Sequence, residues 1–390
     1  MTGDPLAEAP WRLLPEIQAI FAALDGDKRR TRAVGGVVRD TIMGRPHSGD
    51  IDMATELLPE EVVARAGAAG IASYPTGIEH GTVTLKLGET LAEVTTLRRD
   101  VETDGRHAVV AFGTDWAEDA RRRDFTLNAL YCAADGTLYD PLNGAGDARD
   151  GVVRFIGDAA HRIAEDGLRV YRFFRLTASH GRQQFDAKGL SACASSVEHL
   201  DHLSRERVGG EMMRMLGLPK IAVTLSQMSE IGLLPLSDEA LTSLTAYEAI
   251  GGQLPEARLV LLAGAELEAR QTDWRISNHT IASARDILRA ADLIEDDRIG
   301  EAAYRHGEAA VEGLAVAAAR DRWGTARLSE AARVLGATHV PEFPVTGHDL
   351  VGLGIKPGPR LGQELARMER AWIDSGFALG KPALLAMVSS

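Results

Sequence analysis

The chain has 390 residues, two cysteines and a formal net charge of −13. That length exceeds what a single core fills and predicts two or more domains, while 45% apolar residues exclude wholesale disorder. Two cysteines, Cys132 and Cys193, exclude a disulfide framework and a four-thiolate zinc site. The opening Met1–Pro10 is acidic and does not read as a signal peptide, and no apolar run is long enough to cross a bilayer. A reducing, cytoplasmic setting without a membrane partner is therefore expected. The acidity argues against a broad nucleic-acid groove, but it is unevenly spread: residues 151–200 and 351–390 each carry a surplus of two positive charges.

In chain order, the first 155 residues alternate short strands with helices. Arg32 to Val34 and Ile51 to Ala54 read as strands, and Pro59 to Ala69 as a helix. Thr82 to Leu87 alternates in the manner of a half-buried strand, turns at Gly88-Glu89 and continues through Leu91 to Leu97, predicting a hairpin. Thr137 to Tyr139 is a further short strand. Beyond residue 157 the strand signal stops. Helical spacing recurs over 162–180, 205–216, 255–269, 280–293, 300–318, 329–335 and 362–375. The fold class is α+β: an N-terminal part with a small mixed β-sheet and helices, followed by an elongated all-α region.

Several constellations carry chemistry. Gly35-Gly36-Val37-Val38-Arg39-Asp40 follows a strand and opens a helix, so backbone N–H groups and Arg39 could receive a phosphate chain. The same pattern also fits a plain tight turn. In Gly49-Asp50-Ile51-Asp52, residues two apart on a strand share a face, which sets two carboxylates side by side. A hard cation such as Mg²⁺ relieves that repulsion. Glu93, on the second hairpin strand, is either a third carboxylate or an outward surface charge. Arg121-Arg122-Arg123-Asp124 leads into Phe125-Thr126-Leu127-Asn128-Ala129-Leu130, whose apolar members read as buried. Asp166 and Arg169, with Arg172 and Arg175, recur at helical spacing over Ala159–His180. An acceptor and a donor on one rigid helix could read the edge of cytosine or adenine and reject uracil and guanine, whose groups are reversed.

Together, in this order, the segments 34–46, 49–55, 122–130, 140–147 and 162–175 give the chain a specific resemblance. It resembles the class II tRNA nucleotidyltransferases, the CCA-adding enzymes of bacteria, in the poly(A) polymerase-related branch of the polymerase β-like nucleotidyltransferase superfamily. Arg205-Glu206-Arg207 with Glu211 is similar to that family's last, weaker motif. The resemblance implies a nucleotidyltransferase head over 1–150, a base-reading neck over 151–217, a helical body over 218–340 and a tRNA-binding tail over 341–390. It implies Mg²⁺ on Asp50 and Asp52, with Glu93 alongside as a catalytic carboxylate. Gly35, Gly36 and Arg39 would hold the triphosphate; Arg123, Asp124 and Asn128 phosphate and ribose; Asp166 and Arg169 the base, with Arg172 and Arg175 completing the pocket. Lys356 and Arg360 in the tail would grip RNA, and Asp100 to His107 would be a flexible loop that helps switch from CTP to ATP. Two departures stand out: a one-residue longer spacer at Arg45 to Gly49, and Gly167 inside the expected helix, at a cost of about 1 kcal/mol.

The activity implied is template-independent addition of C, C and A to the 3′ acceptor end of tRNA, from CTP and ATP, with release of pyrophosphate. Poly(A) synthesis and addition of CC or A alone share these motifs. A non-catalytic RNA-binding protein of the same fold is the alternative outside enzymology, and the intact acidic and base-reading residues argue against it. No protein partner is implied.

Overall fold

The computed structural model describes residues 4–47, 49–104 and 107–388; of Thr76, 99–104 and 107–110 it describes the backbone alone. The chain divides into two units. One holds the residues through Met215 together with Val223–Pro235, the other Leu216–Ala222 together with Leu236 onward.

The first unit is built on a mixed sheet. Its strands are β1 (Thr31–Val34), β2 (Ile51–Thr55), β3 (Ala72–Gly77), β4 (Thr82–Leu87), β5 (Thr90–Thr96), β6 (Arg98–Asp104), β7 (His107–Phe112), β8 (Tyr131–Cys132) and β9 (Leu138–Tyr139). Seven of them form one sheet in the order β3-β4-β5-β2-β1-β8-β9, and β6 and β7 pair separately. The expected hairpin is β4–β5, and β5 then runs parallel to β2. The period-2 pattern of β2 explains its placement: Ile51 and Met53 enter the core while Asp52 faces out. Val34, Ala54, Ala129 and Tyr131 pack with Leu97, Trp116, Ala120 and Ile156 in one cluster.

Sequence patterning overlooked β3, β8 and the β6–β7 pair. Pro75 within β3 argues against a central strand, and β3 does lie at the sheet edge. The two residues of β8 are both fully buried, so no alternation marks them. The expected loop Asp100 to His107 falls on β6–β7; Gly105 and Arg106 and the side chains around them lie outside the described residues.

Asp140-Pro141-Leu142-Asn143-Gly144-Ala145-Gly146-Asp147, one of the family-like segments, is architectural. Both carboxylate oxygens of Asp140 accept the N–H groups opening the helix Gly144–Asp150, at 2.8 and 2.9 Å. Asp147 accepts from Thr126 Oγ1 at 2.6 Å, fixing the turn after Asp124. A Cβ on Gly144 would stand 2.1 Å from the Thr126 carbonyl oxygen, a backbone atom. Gly144→Ala is expected to destabilise the first unit by at least about 3 kcal/mol, read as a lowered urea midpoint; an unchanged midpoint refutes this close approach.

The second unit is helical. Arg258 is fully buried and its guanidinium donates to the carbonyls of Leu216, Leu218, Pro219 and Gly252, gathering the connecting segments around one charge. The expected helix over 300–318 is broken at Gly307 into Ile299–His306 and Ala309–Arg320, and that over 255–269 ends at Ala263. A separate core surrounds Trp372, with Met368, Leu350, Val345 and Leu384, and Tyr304 and Phe377 set edge-on to the indole ring. Among the described residues, no helix is long and apolar enough to cross a membrane.

Candidate active site

A cleft of about 260 Å³ in the first unit is lined by Gly35, Gly36, Arg39, Asp52, Arg123, Asp124, Asn128, Arg172, Arg175 and Leu176. Nine of the expected site residues thus meet in one place. Gly35 ends β1 at φ +73°, a conformation that costs glycine least, and turns the chain into the helix Gly36–Ile42. From this helix Arg39, buried, donates Nη1–H to Asn128 Oδ1 at 2.7 Å. Asn128 Nδ2 donates to Asp124 Oδ1 at 3.1 Å, and Asp124 Oδ2 accepts from Arg172 Nε at 2.8 Å. A continuous chain of polar contacts therefore crosses the cleft wall from the glycine turn to Arg172. Burial opposes the charge on Asp124, but Arg172 and Asn128 outweigh it and hold its carboxyl below the usual range.

The carboxylates follow from sheet register. Asp52 on β2 pairs with Glu93 on the parallel strand β5, so both outward side chains stand side by side, and Asp50 precedes β2. Asp52 and Glu93 are exposed by surface area, yet the concave site leaves Asp52 poorly hydrated. Burial, then the charge of Glu93, raises the Asp52 pKa, and Arg123 and His47 offset this only in part. Among the described residues, no group of three or more His, Cys, Asp or Glu is already gathered to hold a metal ion. The donor set is nonetheless one of hard oxygens with uncompensated negative charge, and it fits a divalent cation that keeps water and phosphate as further ligands. Gly49 precedes the pair, and His47 Nε2 lies 3.3 Å from the Asp50 carbonyl oxygen, which places His47 of the longer spacer beside Asp50.

The base-reading segment departs from expectation. The helix expected over 159–180 is two helices, Ala159–Glu165 and Leu168–Ser179, separated at Asp166-Gly167. Asp166 is extended (φ −149°, ψ 102°), and its Oδ1 accepts the Leu168 N–H at 3.1 Å, so it opens the second helix instead of riding on it. Gly167 carries no mid-helix penalty at this break. Asp166 and Arg169 each have a protein partner: Asp166 Oδ2 accepts from Arg207 at 2.9 Å, and Arg169 Nη1 donates to Glu165 and to the Arg162 carbonyl, both at 2.6 Å. Neither they nor Asp50 and Glu93 belong to the cleft lining. Of these, Asp166 acts on the lining through Arg172, whose positive charge is opposed by burial and sustained by Asp124, then by Glu211 and Asp166. Arg175 donates Nε–H to the buried Glu211 at 2.5 Å.

Several residues of the site were missed in the sequence. Asp119, buried, accepts from Arg122 Nε at 3.0 Å, Arg123 Nη2 at 3.1 Å and the Tyr131 hydroxyl at 2.8 Å. Arg122 and Arg123 are thus anchored by one buried carboxylate, and the i, i+3 and i, i+4 spacing from Asp119 was the available signal. Asp40 and His180, 140 positions apart, meet at 3.1 Å. In the second unit, Lys356 and Arg360 line a hollow of about 510 Å³ together with Leu353, Ile355 and Val388.

The chain is similar to known proteins over most of its length. The model of the poly A polymerase head domain matches residues 31–154, and that of the putative tRNA nucleotidyltransferase domain 2 matches residues 257–388. The mitochondrial CCA tRNA nucleotidyltransferase 1 of Mus musculus is 31% identical, over 96% of this chain and 92% of the relative. The CCA-adding enzyme of Levilactobacillus brevis is 32% identical, over 91% and 92%. Among solved structures, the Bacillus stearothermophilus CCA-adding enzyme in complex with CTP superposes with a TM-score of 0.78 at 28% identity, covering 93% of this chain and 94% of that one. The Thermotoga maritima CCA-adding enzyme complexed with tRNA shares the fold, with a TM-score of 0.68 at 17% identity. Identity above 30% across nine-tenths of both partners is more than a shared fold requires, and this chain belongs to the CCA-adding tRNA nucleotidyltransferase family.

Proposed function

We infer that this protein adds C, C and A to the 3′ end of tRNA from CTP and ATP, without a nucleic-acid template. The observation that carries this reading is the polar chain Arg39–Asn128–Asp124–Arg172 lining a cleft that Asp52 also enters, in a family whose relative superposes in complex with CTP. In the reaction the RNA 3′-hydroxyl attacks the α-phosphate, the bond to the β-phosphate bridging oxygen breaks, and pyrophosphate leaves. Gly35, Gly36, Arg39 and Arg123 hold the triphosphate against the turn. Asp124 and Asn128, already fixed by Arg172 and Arg39, meet the ribose. Asp166 accepts from the exocyclic amine and Arg169 donates to the ring nitrogen, with Arg172 and Arg175 closing the pocket. Arg169 spends Nη1 on both of its protein contacts, which leaves its Nη2 and Nε hydrogens for a base. Asp50 and Asp52, with Glu93 beside them, are proposed to hold Mg²⁺, which when bound stabilises charge on the attacking and leaving oxygens. The protein's part is positioning and charge neutralisation.

The roles are proposed to divide along the chain, with the head over 1–150 carrying metal and phosphate binding, the neck over 151–217 base reading, the body over 218–340 support and the tail over 341–390 the RNA grip through Lys356 and Arg360. A cytoplasmic setting is proposed on the two cysteines, which are buried free thiols pushed up to about 12 by burial. The test is incubation with Mg²⁺, a tRNA lacking its 3′ CCA, and CTP, ATP or both, followed by sequencing of the product ends. Two C residues from CTP alone and a completed CCA from both nucleotides are expected; long A tails, or no incorporation, overturn the reading.

A further inference from the structure

Two helices bring arginines to the cleft lining. The helix Gly36–Ile42 brings Arg39, and Leu168–Ser179 brings Arg172 and Arg175. They are joined where the second helix ends. His180 Nε2 lies 3.1 Å from Asp40 Oδ1, the same oxygen that accepts Arg39 Nε–H at 2.9 Å. One residue earlier, the Ser179 carbonyl accepts from Arg45. The side chains of His180 and Asp40 are 12% and 13% exposed, so this contact is little weakened by solvent. Asp40 is acceptor-only, so Nε2 must carry the hydrogen. Nδ1 lies 2.6 Å from the Ser179 hydroxyl, whose single hydrogen also has the Arg175 and Leu176 carbonyl oxygens in reach, at 2.9 and 3.3 Å.

The charges agree with a neutral imidazole donating to a carboxylate. Burial lowers the His180 pKa, the Asp40 contact opposes this, and Arg39 and Arg45 add to the lowering. Burial opposes ionisation of Asp40, but the His180 hydrogen bond and Arg39 outweigh it and hold its carboxyl well below the usual range. His47 faces the other oxygen of Asp40 at 3.3 Å.

We propose that His180 is a positioning residue for nucleotide binding: through Asp40 it orients Arg39 and, by tying the two helices together, sets the width of the cleft. The inference rests on the nucleotidyltransferase reading above. Because the strut acts on the triphosphate half of the cleft, it serves CTP and ATP alike.

The test is steady-state addition by the full-length protein to tRNA lacking CCA, with His180→Leu, which keeps apolar bulk without a donor, and His180→Gln, which keeps a donor without the ring. Failure of the wild-type protein to add nucleotides speaks against the function; the strut is judged by comparison with an active wild type. His180→Leu is expected to raise KM for both CTP and ATP roughly tenfold while kcat stays within about twofold, and His180→Gln to return KM to within about threefold of wild type. A purely structural role lowers Tm and kcat without a shared KM shift and is not relieved by glutamine. An unchanged KM in the leucine variant, a change for one nucleotide alone, or a glutamine variant as impaired as leucine overturns the proposal. If the leucine variant does not fold, His180→Phe decides: the ring stays without a donor to Asp40, KM for both nucleotides is expected to rise about tenfold, and an unchanged KM overturns the strut.

Discussion

Asp52→Asn abolishes nucleotide addition, lowering the single-turnover rate by a factor on the order of 10³–10⁴, while its Tm in metal-free buffer equals or exceeds that of the wild type. Both halves follow from one carboxylate. Asp52 stands beside Glu93 in register on parallel strands, and burial and then that neighbour raise its pKa. A carboxyl whose pKa is higher in the folded than in the unfolded state disfavours folding once the pH exceeds the unfolded value, and this penalty disappears as pH falls below it. Asparagine removes the like-charge contact, so the variant gains relative stability at neutral pH, and the gap between the two proteins closes on acidification. Added Mg²⁺ is expected to raise the Tm of the wild type and to leave that of the variant nearly unmoved. Thermal melts from pH 4 to 8, with and without the ion, check the stability half, and quench-flow incorporation into tRNA checks the catalytic half. Retention of more than about a tenth of the rate, set against the loss such a group supplies, removes Asp52 from the machinery.

The parts legible in the sequence are those whose signal is local. Asp52 between Ile51 and Met53 declares a strand with one face in the core and one carboxylate outside, and that is its environment. The hairpin of β4 and β5 is written in alternation and one glycine turn. The base-reading segment was legible in its residues but not in its conformation. Helical spacing over 159–180 is real, yet Asp166 competes for the Leu168 N–H and breaks the helix, and a side chain's choice between helix surface and cap depends on what packs next to it. Asp119 could have been found, since Arg122 and Arg123 follow at the spacing of helix neighbours. His180 could not, because its partner lies 140 positions away and no periodicity links a helix end to a phosphate turn. The glycines and acids of the 140–147 segment, which carried the resemblance without a role of their own, hold the turn behind Asp124.

Nucleotide choice should fail before nucleotide addition does when the acceptor at position 166 is removed. Asp166→Ala is expected to reduce discrimination against UTP by roughly 10- to 100-fold, the worth of one well-placed base-edge contact. Arg169, held by Glu165 and the Arg162 carbonyl independently of Asp166, keeps its orientation in that variant, so addition of C and A continues at a reduced rate. The substitution also removes the cap on Leu168 and the contact to Arg207, at a stability cost of about 1 kcal/mol. Arg207→Ala separates these effects. It removes the same ion pair, between side chains 55% and 33% exposed, but leaves the carboxylate in place, so selectivity is expected to hold while stability changes little. The comparison is the ratio of kcat/KM for CTP and UTP in the three proteins. Equal ratios in wild type and Asp166→Ala remove the base-reading role from Asp166. A ratio that falls equally in both variants assigns selectivity to the Asp166–Arg207 pair as a unit, with the arginine fixing the direction in which the carboxylate faces the base.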